Sequence, residues 1–187
     1  MTARRLPADR PFSAITLGVL LACGLVLQTA AQVRDRAAAK GLVEIVRLDS
    51  TIRLDIRYAT AHNFMGRPMY AQARAFLQRP AAEALLRVHH AMRAKGYGLL
   101  VFDGYRPWAV TKKFWDETPP EKRSFVANPK KGSKHNRGCA VDLSLYDLQT
   151  GAEVEMPSPY DDFTAKASSS YQGCTDEQRR MRALLRS

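Results

Sequence analysis

Strands and helices that follow one another without steady alternation predict an α+β domain, a small antiparallel sheet flanked by helices. Three observations carry this expectation. The stretch Ile52-Arg-Leu54-Asp-Ile56 alternates apolar and charged residues, the pattern of a half-buried strand. Two short apolar runs, Tyr97 to Phe102 and Cys139 to Tyr146, have strand length and lie next to turn-forming residues. Stretches of helical periodicity lie around them, from Pro80 to Lys95 and from Asp176 to Leu185.

The 187 residues leave room for one domain with its own core once the start of the chain is set aside. Arg4, Arg5 and Arg10 open the sequence, Ile15 to Leu27 is an almost unbroken apolar run, and Gln28-Thr-Ala-Ala-Gln32 supplies small residues. That order is the layout of a secretory signal, and the apolar run is short for a membrane span. Residues 1–31 are expected to be a signal peptide, which places the protein in the periplasm or outside the cell. An uncleaved N-terminal membrane anchor is the alternative. Leu20-Leu-Ala-Cys23 is similar to a lipidation site, but apolar residues continue to Leu27 where a lipidated chain would turn polar. Residues 32–44 are expected to be a linker and 45–187 the domain.

Within the domain, Leu42 to Ala59 holds the alternating strand, and Asn63 to Tyr70, with Gly66 and Pro68, reads as a loop. Pro80 suits the first turn of a helix whose Leu85, Leu86, Val88, His89 and Met92 fall on one side, and Gly96 ends it. The strand from Tyr97 runs into Asp103-Gly-Tyr-Arg106-Pro107, a turn by composition, and Pro107 opens a short helix through Trp115. Thr118 to Lys134 is a polar stretch with three prolines, and a loop of that length in a small domain is often functional. After the strand from Cys139, Leu148 to Thr164 reads as a turn and a loop. Thr175 caps a last helix with Asp176 and Glu177 in its first turn and Met181, Leu184 and Leu185 as its apolar stripe.

The net charge is +11 over the chain, and about +9 without residues 1–31. The basic residues are scattered and no aromatic-interleaved basic stripe is present, so a solvated basic face is the reading, and nucleic acid is not an expected partner. An anionic cell-wall polymer is a compatible neighbour. Cys139 and Cys174 have no zinc-knuckle spacing. In an exported chain they could oxidise to each other.

The most informative stretch is Ser133-Lys-His135-Asn-Arg-Gly138-Cys-Ala-Val-Asp142. An imidazole and a carboxylate are the nitrogen and oxygen ligands a catalytic zinc takes, usually with a third protein ligand and a water. Gly138 between them gives the backbone freedom to bend His135 back toward Asp142. On the strand, Ala140, Asp142 and Ser144 share one face, and Val141, Leu143 and Leu145 the other. A hydrogen-bonded surface pair is the plain alternative on spacing alone. No histidine follows His135 in this sequence.

Ser-x-His-x-x-Gly-x-Ala-x-Asp resembles the zinc motif of the D-Ala-D-Ala dipeptidases, relatives of the D,D-carboxypeptidases and of the hedgehog-type zinc fold. Five further blocks in the same order are similar to that branch: Asp55-Ile-Arg-Tyr58-Ala-Thr60, Asn63-Phe-Met-Gly66-Arg-Pro68, Gly96-Tyr-Gly-Leu, Asp103-Gly-Tyr-Arg106-Pro107, and Met156 to Phe163. The resemblance runs from about Ile45 to the C-terminus. It implies one zinc ion with His135 and Asp142 as two of its three ligands, and Arg106 as the transition-state arginine. It implies Tyr58, Ser133 and Asp161 as binders of the dipeptide, with Asp161 facing its ammonium, and hydrolysis of D-Ala-D-Ala to two D-Ala in cell-wall precursor metabolism. The long loop before Ser133 resembles the segment that narrows the dipeptidase pocket. His62, His89 and His90 have no counterpart in the motif.

One block of the family is not matched. Its C-terminal Glu-x-x-His supplies the third ligand and the general base, and no such pair follows Asp142. Glu153, Glu155, Glu177 and Cys174 are poor candidate substitutes, and none stands at the family's position. The expectation is a family member shortened at its C-terminus and lacking the final strand. A cell-wall binding module without catalysis, an unstable fragment and a related D,D-carboxypeptidase are the alternatives.

Overall fold

The computed structural model describes residues 41–187, so the expected signal peptide and most of the expected linker lie outside the described residues. The chain runs through β1 (Leu42–Glu44), a single turn α1 (Ile45–Leu48), β2 (Arg53–Leu54), β3 (Phe76–Gln78), α2 (Arg79–Arg93), β4 (Tyr97–Asp103), α3 (Trp108–Glu117), β5 (Asp142–Asp147) and α4 (Asp176–Arg186). Strand β1 pairs antiparallel with β3, Val43 opposite Leu77, so residues 42–44 belong to the fold and not to the expected linker. Burial of Leu42 is the physical reason.

The second sheet has the order β2-β4-β5. Its long pairing, β4 with β5, is antiparallel as expected, but β2 pairs parallel with β4, which makes the sheet mixed. The alternating stretch from Ile52 forms only two strand residues. Ile52 and Ile56 are buried on either side of them, and Arg57–Ala59 tightens into a 3-10 turn. The short run Phe76–Gln78 has no alternation to betray it and was not anticipated as a strand.

Helix α2 lies on β4. Its buried residues Ala82, Leu85, His89 and Met92 recur three or four apart, the spacing of one helix face. Val88, expected on that face, is exposed. The core beneath joins Leu85 and Met92 to Leu77, Leu99, Val101 and Leu145. Each such side chain contributes about 1.5–3 kcal/mol on burial. His89 is fully buried and plays a packing role: Leu99 N–H donates to its Nδ1 at 3.4 Å, and its Nε2 lies 2.8 Å from Thr51 Oγ1. Helix α4 carries the expected Thr175 cap, completed by Gln178 into a reciprocal capping box, and buries Met181. Cys139 and Cys174 are both free thiols, so the disulfide that the sequence permitted is not formed.

Three features of this frame position the site. Strand β4 ends at Asp103, β5 begins at Asp142, and a register irregularity between Val101 and Asp103 sets these two carboxylates opposite each other. An extra residue in one strand of a pair bends it and re-aims its side chains. Strand β3 ties in both flanking turns, since Tyr105 N–H donates to Phe76 O at 2.7 Å and Gln78 N–H to Gly138 O at 2.8 Å. Both contacts need glycine beside them. A Cβ on Gly104 would lie 2.8 Å from Phe76 O, and one on Gly138, at φ +68°, would lie 2.6 Å from Leu42 Cδ2.

Candidate functional site

The expected motif strand begins later than its apolar run suggested. Cys139 to Val141 lie outside β5, and His135–Arg137 forms a 3-10 turn closed by Gly138 in the left-handed conformation. Ser133 starts that turn, its Oγ accepting from His135 N–H at 3.2 Å. Asn136 then fastens the turn to the rest of the site, its Nδ2 donating to Arg106 O at 2.9 Å and to Thr111 Oγ1 at 2.8 Å. Arg106 N–H returns a bond to His135 O at 3.0 Å. The two sequence blocks that carry His135 and Arg106 are thus one rigid unit.

His135 Nδ1 lies 2.9 Å from Gly104 O. A carbonyl only accepts, so Nδ1 carries a proton, and in the neutral imidazole the lone pair sits on Nε2. Nε2 faces Asp142 Oδ1 at 3.4 Å. A ligating histidine is ordinarily oriented by such a bond from its other nitrogen to a backbone carbonyl or carboxylate. Burial works against charge on this imidazole, yet the hydrogen bond and field of Asp142 outweigh it and raise its pKa. On Asp142 burial is likewise outweighed, here by His135 and Arg106, and the carboxyl is held below the usual range. Tyr160 O–H also donates to Asp142 Oδ2 at 3.4 Å.

Asp103, His135 and Asp142 each offer a donor atom within 4.8 Å of the others, the metal-capable cluster among the described residues. The donor set suits a divalent ion that takes nitrogen and oxygen. The members differ in what they have to spare. Asp103 Oδ1 accepts from Tyr70 O–H at 2.8 Å and Gly104 N–H at 2.9 Å, and its Oδ2 accepts from Arg106 Nε at 2.9 Å. Arg106 Nη2 also reaches Oδ2 at 2.7 Å. With its lone pairs so engaged, Asp103 is an anchor for Arg106, and the open donors are His135 Nε2 and Asp142.

Arg106 is buried, held by Asp103 and 3.4 Å from Asp142 Oδ2. Its guanidinium lies over the rings of Tyr58 and Phe114, 5.2 and 5.0 Å from their centroids. Burial opposes the charge, but Asp103 and its other neighbours, Asp142 among them, together outweigh that and raise its already high pKa. A planar, permanently charged fork fixed in this way is pre-organised to meet developing negative charge.

Tyr58 and Asp161 come together as well, Tyr58 O–H donating to Asp161 Oδ1 at 3.1 Å. Asp161 has φ +58°, a conformation seldom taken by a side-chain-bearing residue. Its Oδ2 is buried with no hydrogen-bond partner. Burial pushes its pKa up to about 6, against the hydrogen bond from Tyr58. Asp161, Arg106, His135 and Asp142 all line one groove of about 640 Å³. Ser133 stands apart from this group as the cap of the histidine turn. The residue that sequence reasoning left without a role is Asp103. Its Asp-x-x-Arg spacing at a strand end was the available signal, since that spacing lets a carboxylate reach the guanidinium three residues on.

Glu153 lines the groove but is paired with Arg57 at 2.9 Å, and Glu177 is paired with Arg180 at 2.6 Å on α4. Neither is placed as a free carboxylate beside His135 and Asp142.

Comparison with known proteins fits this geometry. A D-alanyl-D-alanine dipeptidase of Enterococcus faecium is 35% identical over 159 residues, covering 72% of this chain and 77% of the relative. One from Enterococcus faecalis is 32% identical over 153 residues, covering 72% and 76%. One from Escherichia coli K12 is 28% identical over 144 residues, covering 77% and 73%. The peptidase M15 family model, described as D-ala-D-ala dipeptidase, matches residues 38–187, the whole described unit with its Arg106 anchor and its His135–Asp142 pair. This chain therefore belongs to the D-ala-D-ala dipeptidase family of metallopeptidases.

Proposed function

We propose that this protein hydrolyses the dipeptide D-Ala-D-Ala to two D-Ala, with zinc at His135 Nε2 and Asp142. The observation that carries the substrate reading is Asp161. A buried carboxylate oxygen without a partner, in a strained backbone conformation on the wall of the groove, suits a free ammonium. The relatives' names point to the same small dipeptide.

The chain's own residues divide the work. Asp161 and Tyr58 take the amino end. Gly104 O fixes the tautomer of His135 so that Nε2 is available. Arg106, clamped by Asp103, presents its fork to the oxygen of the scissile amide, where negative charge develops. The chemistry supplied by a bound zinc is Lewis acidity toward that amide and the attacking water.

A second reading is favoured by one observation: of the cluster Asp103, His135 and Asp142, Asp103 is engaged by Arg106, which leaves two open ligands where a catalytic zinc ordinarily has three. On that reading the chain binds cell-wall peptide without turnover. We further propose export to the periplasm or cell exterior, on the basic-then-apolar order of residues 1–31, with the basic surface facing anionic peptidoglycan.

Purified protein, zinc-loaded and incubated with D-Ala-D-Ala, tests the first reading. D-Ala release above that of His135→Ala supports it. Dipeptide binding with release no greater than in His135→Ala supports the second.

A further inference from the structure

Two cavities in this molecule share a wall. The groove of about 640 Å³ that holds His135 and Asp142 is bounded by Asp161 and Phe163. A second cavity, of about 370 Å³, is lined by the same two residues and by Phe64, Glu117 and Lys122. The Phe163 ring is clamped. Phe125 stacks on it with centroids 5.1 Å apart and planes 8° apart, and Phe64 meets it at 4.9 Å. Phe64 is wedged in turn against Phe114 of α3 at 4.9 Å. Phe125 comes from the 3-10 turn Pro120–Phe125 in the long loop, so three separate segments hold one ring.

We propose that Phe163 is the specificity-determining partition that sets how far the amino end of a peptide can reach. The proposal rests on the dipeptide reading, in which Asp161 receives the ammonium. A dipeptide ends at Asp161 and leaves the partition untouched. A peptide with one more residue on its amino side extends by about 3.4 Å. That extra length meets the Phe163 ring, which stands between the groove and the second cavity. The stacked and tilted ring contacts favour the clamped position beyond simple burial. The ring is therefore a fixed stop rather than a side chain that swings aside. Removing it joins the two cavities and makes room for the added residue.

The test is isothermal titration of the full chain with D-Ala-D-Ala and with D-Ala-D-Ala-D-Ala, as purified and with a chelator that removes any heat of turnover. The wild type is expected to bind the dipeptide at least about tenfold more tightly than the tripeptide. In Phe163→Ala that preference is expected to fall by about tenfold or more, whatever happens to dipeptide affinity itself. Phe125→Ala, at an exposed position, loosens the outer face of the clamp and is expected to shift the preference in the same direction by less. An unchanged preference in Phe163→Ala with a cooperative melt overturns the proposal. If Phe163→Ala does not fold, an unchanged preference in Phe125→Ala overturns it. A wild type that binds both peptides equally also overturns it and leaves the dipeptide site standing. A wild type that binds neither removes the dipeptide reading and the partition with it.

Discussion

The bond from His135 Nδ1 to Gly104 O, 2.9 Å long, decides which nitrogen of His135 faces Asp142. Gly104 follows Asp103 directly, so the residue that anchors Arg106 and the carbonyl that orients His135 are neighbours in one turn. The arginine and the histidine are consequently positioned by the same piece of backbone, and a change that moves the turn moves both.

His135→Ala and Asp142→Asn are expected to lower zinc affinity, each by at least about the tenfold seen when even a supporting partner of a metal ligand is lost. Zinc content after dialysis against a metal buffer measures it. Equal retention by wild type and both variants would place the ion elsewhere.

Asp103→Asn leaves the buried Arg106 guanidinium without its main counter-charge. Breaking a buried pair in this way costs about 3–5 kcal/mol. Urea denaturation is expected to show a lower midpoint with little change in slope. A cost below about 0.5 kcal/mol would show that Asp142 suffices to hold Arg106.

Asp161 gives a stability dependence of unusual sign. Its pKa rises from the ordinary 3.8 to about 6 on folding, so between those values the folded state binds the proton more tightly than the unfolded one. Stability from this group is therefore present below about pH 4, falls as pH rises to about 6, and then levels off, a change of about 3 kcal/mol. Asp161→Asn is expected to remove that fall, to melt higher than wild type at pH 7.5, and to lose dipeptide binding. A lower melting temperature for the variant at pH 7.5 would contradict this account of Asp161.

His89 acts in the opposite direction. Its pKa is lowered from 6.5 chiefly by burial, against the pull of Asp49. Protonation would place a second N–H against Leu99 N–H, which already donates to Nδ1. The folded state thus binds the proton less tightly than the unfolded one. The stability is complete above pH 6.5 and is lost as pH falls below it. His89→Gln is expected to flatten the acid limb of the stability curve, and subtracting it from wild type separates this effect from that of Asp161.

The α+β class, the helix from Pro80, the capped last helix and the His135–Asp142 pairing were all legible because each rests on local chemistry: a periodic apolar face, a cap, a glycine at positive φ. The parallel pairing of β2 with β4 was not legible. Arg53 and Leu54 pair with Leu100 and Val101, far along the sequence, and alternation says nothing about a partner's direction. The strand Phe76–Gln78 was hidden because both Phe76 and Leu77 are buried, which removes the alternation that marks a half-exposed strand. At the site, Tyr58 and Asp161 were identified by resemblance, but only the fold shows that they touch. Asp103 was missed as an anchor because its importance comes from the register irregularity that sets it opposite Asp142.

On the proposed function, the His135–Asp142 site, with Arg106 and Asp161, hydrolyses D-Ala-D-Ala. The most direct measurement is D-Ala released from that dipeptide by the purified, zinc-loaded chain, set against His135→Ala at equal concentration. Release is expected to exceed the variant's and to disappear with chelator. Release equal to that of His135→Ala would contradict it.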